Sequence, residues 1–457
     1  MIRNDTIIAP ATAPGMAAIA VIRISGENAF HLLQDRFFSR TGKPRIAQEL
    51  KPNTVYFGIL QDGPQVVDEV VVTCFRAPHS YTGEDTIEIS CHGSVYIQQK
   101  ILELFIRSGA RYADPGEFTM RAFLHGKMDL SQAEAVADLI SSETAAAHQL
   151  ALNQLRGGYS HSISLLRARL VEFAALLELE LDFSEEDVEF ADRERFTALL
   201  IDIQQHMHAL LEGFQSGNAI KKGIPIAIAG KPNAGKSTLL NALLNEERAI
   251  VSEIAGTTRD TIEDSLLLDG ITFRLIDTAG IRPSEDVIEQ IGISRAKSAV
   301  ANAAVVLYVF DASETLDEHI DQELGALDIG EKTRVILVAN KCDKASGTIS
   351  VEMKDYELVK ISAREGDGID LLKTTLVKPY QHLLQKDVLV TNVRHAEAIN
   401  SAIKAVERLQ LAMKRNVSGD LLAFEVREAI ALLGIITGEV HTEELLGHIF
   451  SKFCIGK

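Results

Sequence analysis

Residues 230–237 read GKPNAGKS, Gly230 to Ser237, and lie between an apolar run, Pro225 to Gly230 (PIAIAG), and the leucine-rich segment Thr238 to Asn245 (TLLNALLN). The apolar run predicts a buried strand, and the leucine-rich segment predicts a helix that opens just after Ser237. A loop in that position turns its backbone N–H groups onto the α- and β-phosphates of a nucleotide. Gly230 and Gly235 tolerate the unusual dihedrals this needs, and the helix N-terminus adds positive potential. Lys236 then reaches the β- and γ-phosphates, and the Ser237 hydroxyl ligates Mg2+.

Three further motifs follow in order. Phe273 to Ile276 predicts a strand running into Asp277-Thr278-Ala279-Gly280, where Asp277 holds Mg2+ through water and the Gly280 N–H senses a γ-phosphate. Val335 to Ala339 predicts another buried strand, ending in Asn340-Lys341-Cys342-Asp343. The Asp343 carboxylate can accept from the ring N–H and the exocyclic amine of guanine, donors that adenine lacks on that edge. Beside adenine it would be desolvated and unpaired, at a cost of about 1–3 kcal/mol. The expectation is GTP rather than ATP. Ser362-Ala363-Arg364, after a strand around Leu358 to Ile361, fits the loop whose backbone N–H meets the guanine carbonyl. Gly256-Thr257-Thr258-Arg259-Asp260 stands where a switch segment belongs, and Thr258 is the candidate second protein ligand of Mg2+; such a threonine releases its loop when the γ-phosphate leaves.

Signalling GTPases place a water-orienting glutamine after Asp-x-x-Gly, but here Ile281 stands in its place. An isoleucine cannot position water, so catalysis must come from Glu289, Arg282, Arg259 or Arg295, or from a cation held by the loop. Asn233 offers a side-chain oxygen to a monovalent cation, and it serves equally well as a plain turn residue.

At 457 residues the chain should hold about three domains. Its formal net charge of −18, from 46 basic and 64 acidic residues, argues against unspecific adhesion to RNA or anionic membrane. Any nucleic-acid contact therefore needs a local basic patch or a partner. Cys74, Cys91, Cys342 and Cys454 lie far apart with no Cys-x-x-Cys pair, which indicates neither a zinc site nor a disulfide framework and suggests a reducing, cytoplasmic setting. Ile7 to Ile22 is apolar but interrupted by Pro10, Pro14 and Gly15, so no signal peptide is expected. No run approaches the roughly 20 apolar residues that cross a bilayer, and no membrane partner is expected.

The fold class expected is α/β plus all-α multidomain. Residues 1–126 form an α/β domain, with strands at Ala17 to Ile24, Val55 to Leu60, Asp68 to Phe75 and Asp85 to Ser90 and helical stretches around Asn28 to Phe37 and Ser94 to Ser108. Residues 127–220 are helical, with Gly157-Gly158 breaking one helix from the next. Residues 221–380 carry the P-loop GTPase domain, with a mostly parallel sheet. Residues 381–457 return to helices, at Val393 to Met413, Leu421 to Leu433 and Glu443 to Phe453. The simplest account is one helical-bundle domain split by insertion of the GTPase domain. The carboxylate run Glu178 to Glu189 reads as a solvated face, and His92 as a strand-end residue.

Together with DTIIAPATAPG and AVIRISG near the N-terminus, SYTGEDTIEISCHG, GEFTMRAFLHGKMDLSQAEAVADLI and the terminal FCIGK, these motifs closely resemble the MnmE (TrmE) family of tRNA-modification GTPases, end to end. The GTPase motifs are shared with the Era and Der families of ribosome-assembly GTPases; the N- and C-terminal motifs are not.

The resemblance implies a K+-stimulated GTPase, a homodimer whose G domains pair across the nucleotides. It implies a flavin-dependent (FAD) partner of the MnmG (GidA) family and the wobble uridine of tRNA as target. The pair would install a carboxymethylaminomethyl-type group with a one-carbon unit from a tetrahydrofolate derivative, in its 5-formyl or methylene form. It implies nucleotide contacts from Asn233, Ala234, Gly235, Lys236, Ser237 and Thr238, from Ser252, Glu253, Ile254, Ala255, Gly256, Thr257 and Thr258, and from Asp277, Thr278, Ala279 and Gly280. Asn340, Lys341, Asp343, Ser362 and Ala363 complete the set. Mg2+ falls to Ser237 and Thr258, K+ to Asn233, Ser252, Ile254 and Thr257, and the water network to Glu289. Ser252 replaces the family's frequent threonine, which leaves a backbone contact there but puts a side-chain role in question.

By the same resemblance, residues 1–126 bind the folate and dimerise. The folate site takes Arg23, Glu88, Lys127 and the C-terminal Lys457, charges suited to a glutamate-tailed pterin whose aminopyrimidine ring donates to Glu88. The tail also makes Cys454 a candidate catalytic thiol; Gly456 and Lys457 do not fit a prenylation signal. A ribosome-assembly factor would need a basic RNA-binding domain that this acidic chain lacks. A switch acting through conformation alone would leave the folate-like pocket and terminal cysteine without purpose.

Overall fold

The computed structural model describes residues 5–46, 49–182, 193–214, 217–218, 221, 223–247, 265–276, 299–313, 317–327, 329–330, 333–344, 356–381, 390–415, 417 and 419–457. Thirteen strands lie at Ile7–Pro10 (β1), Ile19–Ser25 (β2), Phe37–Phe38 (β3), Thr54–Asp62 (β4), Gln65–Phe75 (β5), Thr86–His92 (β6), Arg111–Tyr112 (β7), Ile224–Ala229 (β8), Ser265–Leu268 (β9), Ile271–Leu275 (β10), Val305–Asp311 (β11), Arg334–Asn340 (β12) and Glu357–Lys360 (β13) among the described residues. The α-helices are Ala29–Leu33 (α1), Val95–Arg107 (α2), Glu117–Leu124 (α3), Leu130–Ile140 (α4), Ala145–Leu155 (α5), Gly158–Asp182 (α6), Arg193–Glu212 (α7), Lys236–Glu247 (α8), Asp317–Gly325 (α9), Ile369–Gln381 (α10), Val393–Lys414 (α11), Gly419–Thr437 (α12) and Glu443–Phe450 (α13). The chain divides into two compact units. One holds Met1–Ala137, Gln154–Asp192 and Ala405–Lys457; the other holds Asp138–Asn153 and Arg193–Lys404. No helix among the described residues is long and apolar enough to cross a membrane.

In the first unit, seven strands make one sheet in the order β3-β4-β5-β6-β2-β1-β7. Strand β5 alternates buried and outward positions, the period of two that a half-covered sheet requires. Its inner residues Val70, Val72 and Cys74 join Ile22, Ile24, Ile87, Ile89, Ile101 and Phe105 in the core under α2. The N-terminal helix is shorter than the sequence pattern predicts. Arg36 donates to the carbonyls of Leu32 and Gln34 at the end of α1, and Asp35 takes a φ of +62°, so the chain reverses and Phe37 starts a strand. Helix α6 packs along α12. Arg427 donates to Glu178 at 2.7 Å across that pair, so segments on either side of the six-stranded sheet in the sequence share one interface.

The second unit carries a six-stranded sheet, β13-β12-β11-β8-β10-β9, parallel throughout except for the β9–β10 pair. Strands β11 and β12 are buried along nearly their whole length, as expected where helices cover both faces of a parallel sheet. Ile226, Leu239, Leu243, Leu307 and Ile336 fill one side, while Ala227, Ala229, Val306, Leu324 and Leu337 fill the other.

A buried ion network pins α3 to the start of the chain. The Arg121 side chain is only 3% exposed, yet it reaches Asp5 at 2.6 Å, Glu117 at 2.9 Å and Glu84 at 3.0 Å. Arg111 pairs with Asp5 at 2.6 Å and with Glu117 at 2.5 Å. Burial pushes the Asp5 and Glu117 carboxyls up, but the hydrogen bonds and charges of the two arginines outweigh it and hold both below their ordinary values of 3.8 and 4.5. A carboxyl lowered in the folded state contributes stability that is complete above its ordinary value and is lost as pH falls through the lower folded one. The protection of β1 and α3 amides against hydrogen exchange, relative to unstructured amides at the same pH, should therefore fall below about pH 4. Glu117→Gln, which leaves Arg121 without one partner, should cost about 3–5 kcal/mol at neutral pH and flatten that acid response.

Candidate functional site

Strand β8 delivers the phosphate loop and α8 receives it, as the flanking pattern of the sequence implies. Two glycines in the loop are sterically compulsory. At Gly230, φ is +138° and a Cβ would lie 2.0 Å from the Val309 carbonyl oxygen; at Gly235, φ is +96° and a Cβ would lie 2.1 Å from Asn340 Nδ2. Asn233 also takes a positive φ, +64°, and its side chain is exposed. Lys236 is the first residue of α8, and its ammonium donates to the Gly230 and Lys231 carbonyls at 2.7 Å each. Burial favours its neutral form and lowers its pKa, so an anionic phosphate in the loop would restore the charge balance. Ser237 and Thr238 follow in the first turn of α8.

The residues expected from the sequence to select guanine gather around one amide. Asn340, 2% exposed at the end of β12, donates from Nδ2 to the Ala234 carbonyl at 2.8 Å and accepts at Oδ1 from the Ala363 N–H at 3.0 Å. The phosphate loop and the Ser362-Ala363 loop are thus held to the same side chain. Ser362 donates its hydroxyl to Asp343 Oδ1 at 2.7 Å, orienting the carboxylate. Lys341, in the left-handed region at φ +63°, pairs with Asp311 at 2.7 Å. Burial raises the Asp311 carboxyl, but bonds from Lys341 and Ser313 bring it below its ordinary value. Asp311 was not singled out by the sequence, because the pairing depends on the register of β11 and β12, where Asp311 stands opposite Asn340. Of the other predicted nucleotide and metal contacts, Ser252, Glu253, Ile254, Ala255, Gly256, Thr257, Thr258, Asp277, Thr278, Ala279, Gly280 and Glu289 lie outside the described residues.

A second cluster forms in the other compact unit. Antiparallel pairing of β2 and β6 sets Arg23 opposite Glu88, and the guanidinium donates to Glu88 Oε1 at 2.9 Å from Nε and pairs at 2.7 Å from Nη2. Its remaining arm, Nη1, donates to the Gly456 carbonyl at 3.3 Å. The Tyr81 and Phe118 rings flank it at 5.3 and 5.6 Å, a cation–π arrangement that fixes the plane of the guanidinium. Neither ring had a sequence signal, since both sit on segments far from Arg23 in the chain.

The C-terminal tail is seated by backbone. The Gly116 N–H donates to the Cys454 carbonyl at 3.4 Å. Gly456, at φ +96°, approaches Pro10 so closely that a Cβ would sit 1.9 Å from the Pro10 carbonyl oxygen. Burial, and next the Arg23 charge, hold the Lys457 ammonium below its ordinary value, while the Cys454 thiol acts in the opposite sense. Cys454 is exposed. Lys127 is engaged differently: its ammonium donates to the Pro78 carbonyl at 2.9 Å, on the loop that carries Tyr81. His92 ends β6 and is held by Asp68 through both its N–H and Nδ1.

The model of the MnmE helical domain matches residues 130–454, and that of the GTP-binding protein TrmE N-terminus matches residues 6–127. A tRNA modification GTPase MnmE from Flavobacterium psychrophilum is 50% identical over 464 aligned residues, spanning 100% of both chains. The protein of that name from Cytophaga hutchinsonii is 50% identical, covering 99% of this chain and 98% of its own. That from Bacteroides thetaiotaomicron is 48% identical, covering 99% and 100%.

Adding one methyl group at Gly235 tests the geometry of the nucleotide site. Gly235→Ala forces Asn340 aside at a backbone strain of about 1–3 kcal/mol. At tenfold per 1.4 kcal/mol, GTP binding followed with a fluorescent analogue should weaken about 5- to 150-fold.

Proposed function

Since the chain belongs to the MnmE family of tRNA-modification GTPases, we propose that it hydrolyses GTP with K+ stimulation and, together with an FAD-dependent partner of the MnmG (GidA) type, adds a carboxymethylaminomethyl-type group to the wobble uridine of tRNA. A tetrahydrofolate derivative supplies the one-carbon unit. The observation that carries this reading is the seat of the C-terminal tail, whose Gly456 carbonyl accepts from Arg23 while Arg23 pairs with Glu88.

The donor set suits a folate. Arg23 occupies Glu88 Oε1 twice and thereby steers that carboxylate, whose other oxygen can accept from an aminopyrimidine ring. Lys457 and Lys127 supply positive charge for a glutamate tail, Lys127 by exchanging the Pro78 carbonyl for a carboxylate. Cys454, exposed in the tail where the Lys457 N–H returns to its carbonyl at 3.3 Å, is the thiol of the modification step.

In the nucleotide site Asp343 reads the guanine edge, with Ser362 fixing its orientation, while Lys236 binds the β- and γ-phosphates. Ser237 and Thr258 would hold Mg2+, which neutralises charge developing on the phosphates. Asn233 would hold K+ with Ser252, Ile254 and Thr257, and K+ there takes the place of an arginine finger; Glu289 orders the attacking water. The exposed, left-handed Asn233 turns its amide away from the protein core, as a cation ligand at the loop rim must.

Domain boundaries at 126, 220 and 380 are part of the proposal; the packing of α6 on α12 joins parts of the two helical stretches, whereas residues 193–220 and 381–404 group with the nucleotide-binding unit. A homodimer would cover the outward face of the N-terminal sheet, where Ile19, Val55 and Phe57 are 63%, 63% and 44% exposed. A cytoplasmic location accords with four free thiols.

The test substitutes the thiol and leaves the nucleotide site alone. Cys454→Ser should retain GTP turnover, with the same increase when K+ replaces Na+, and should lose uridine modification in the presence of the flavoprotein. Retained modification would remove Cys454 from the reaction, and turnover indifferent to the cation would remove K+.

A further inference from the structure

An acidic chain that works on tRNA needs somewhere to meet phosphate, and one segment of the N-terminal sheet edge is charged the other way. Between residues 36 and 51 stand Arg36, Arg40, Lys43, Arg45 and Lys51 against a single carboxylate, Glu49, in a chain of net charge −18. The contrast with the rest of that domain is sharp. The six other Lys and Arg residues between positions 5 and 126, namely Arg23, Arg76, Lys100, Arg107, Arg111 and Arg121, all hold a carboxylate at 2.6–3.1 Å. None of the five does so among the described residues. Arg36 donates only to backbone carbonyls, Arg45 to the Phe57 carbonyl, and Arg40, Lys43 and Lys51 project into solvent.

The five belong to one surface. Ser39 and Lys43 close a tight turn at 2.7 Å, and the Arg45 N–H returns to the Phe37 carbonyl at 2.9 Å, so Arg40 and Lys43 ride the tip of a hairpin whose base carries Arg36 and Arg45. Arg45 lies 5.3 Å from the Tyr56 ring and 5.8 Å from that of Phe37, while the Lys51 N–H bonds the Tyr56 hydroxyl at 2.7 Å. The Arg45 cation and the Lys51 backbone are thus tied to the Tyr56 side of β4, and Tyr56 and Phe57 point to opposite faces of that strand. A second copy on the Phe57 face would leave them open.

We propose that Arg36, Arg40, Lys43, Arg45 and Lys51 form a docking surface for the sugar-phosphate backbone of tRNA, an inference that rests on the tRNA-modification reading above. Unpaired Arg and Lys on a protruding edge neutralise phosphates and release their counterions, which positions RNA without reading its sequence. A planar anionic membrane would meet the remaining acidic surface as well, whereas a narrow RNA helix engages one edge and leaves the rest beyond a Debye length of about 8 Å.

The experiment compares the full chain with the triple variant Arg40→Glu, Lys43→Glu, Lys51→Glu, using labelled tRNA and anisotropy between about 50 and 200 mM salt. Loss of three phosphate contacts should lower the slope of log affinity against log salt by about 2–3 and weaken binding more than about tenfold. GTP hydrolysis without RNA should be unchanged. The corresponding Gln variant, which adds no repulsion, should lose about the same slope and guards against misfolding of the Glu variant. Slope and affinity equal to those of the unsubstituted chain would overturn the docking surface and leave the enzymatic reading standing. Intact tRNA binding with lost binding to phosphatidylserine vesicles would overturn it in favour of a lipid. An unsubstituted chain that binds tRNA through this surface, yet supports no uridine modification, would instead refute the enzymatic reading.

Discussion

The close approach of Gly456 to the Pro10 carbonyl is the constraint from which the rest follows. Any side chain at position 456 would overlap the first strand of the sheet, so the last residues of the chain must return to where the first ones lie. With that return, α6 and α12, from either side of the nucleotide-binding stretch, lie in one unit and pack on each other, and Phe450 and Phe453 pack on Leu130 and Ala133. It also sets the Gly456 carbonyl against Arg23. Arg23 is oriented by two rings, one carboxylate and one carbonyl, and little freedom remains in that guanidinium to be lost when a ligand arrives.

The nucleotide half solves a similar problem with a neutral group. Asn340 satisfies the Ala234 carbonyl and the Ala363 N–H at once, so loops from three places in the sequence keep a fixed spacing before any nucleotide binds. Buried polar groups of this kind are costly if left unpaired. A fully paired amide therefore specifies one arrangement of the loops, and the glycine at 235 exists to let it approach.

Much of this was legible in the sequence because it is local. The strand–loop–helix at β8 and α8, the buried β12 and the break at Gly157-Gly158 all follow from apolar period and glycine chemistry, and the observed bounds agree within a residue or two. What escaped is non-local. Strand β1, only four residues and ending in proline, gains its place from pairing with β2 and β7, which no pattern within Ile7–Pro10 announces. The Tyr81 and Phe118 rings, Asp311 beside Lys341 and the arginine network at Asp5 likewise depend on strand register and chain return. Folate binding by Arg23 and Glu88 is an expectation from family resemblance alone; what the structure adds is that antiparallel pairing sets the two residues opposite each other.

The central claim is that GTP turnover in one half of the chain drives a modification completed with the tail and Arg23 in the other. The most direct measurement is mass spectrometry of the wobble uridine after incubating tRNA with the full chain, the flavoprotein, a reduced folate, K+ and GTP. The account predicts modified nucleoside with the native chain and none with Lys236→Ala, whose folate binding should be intact. Full modification by Lys236→Ala, or by the native chain without GTP, would contradict it.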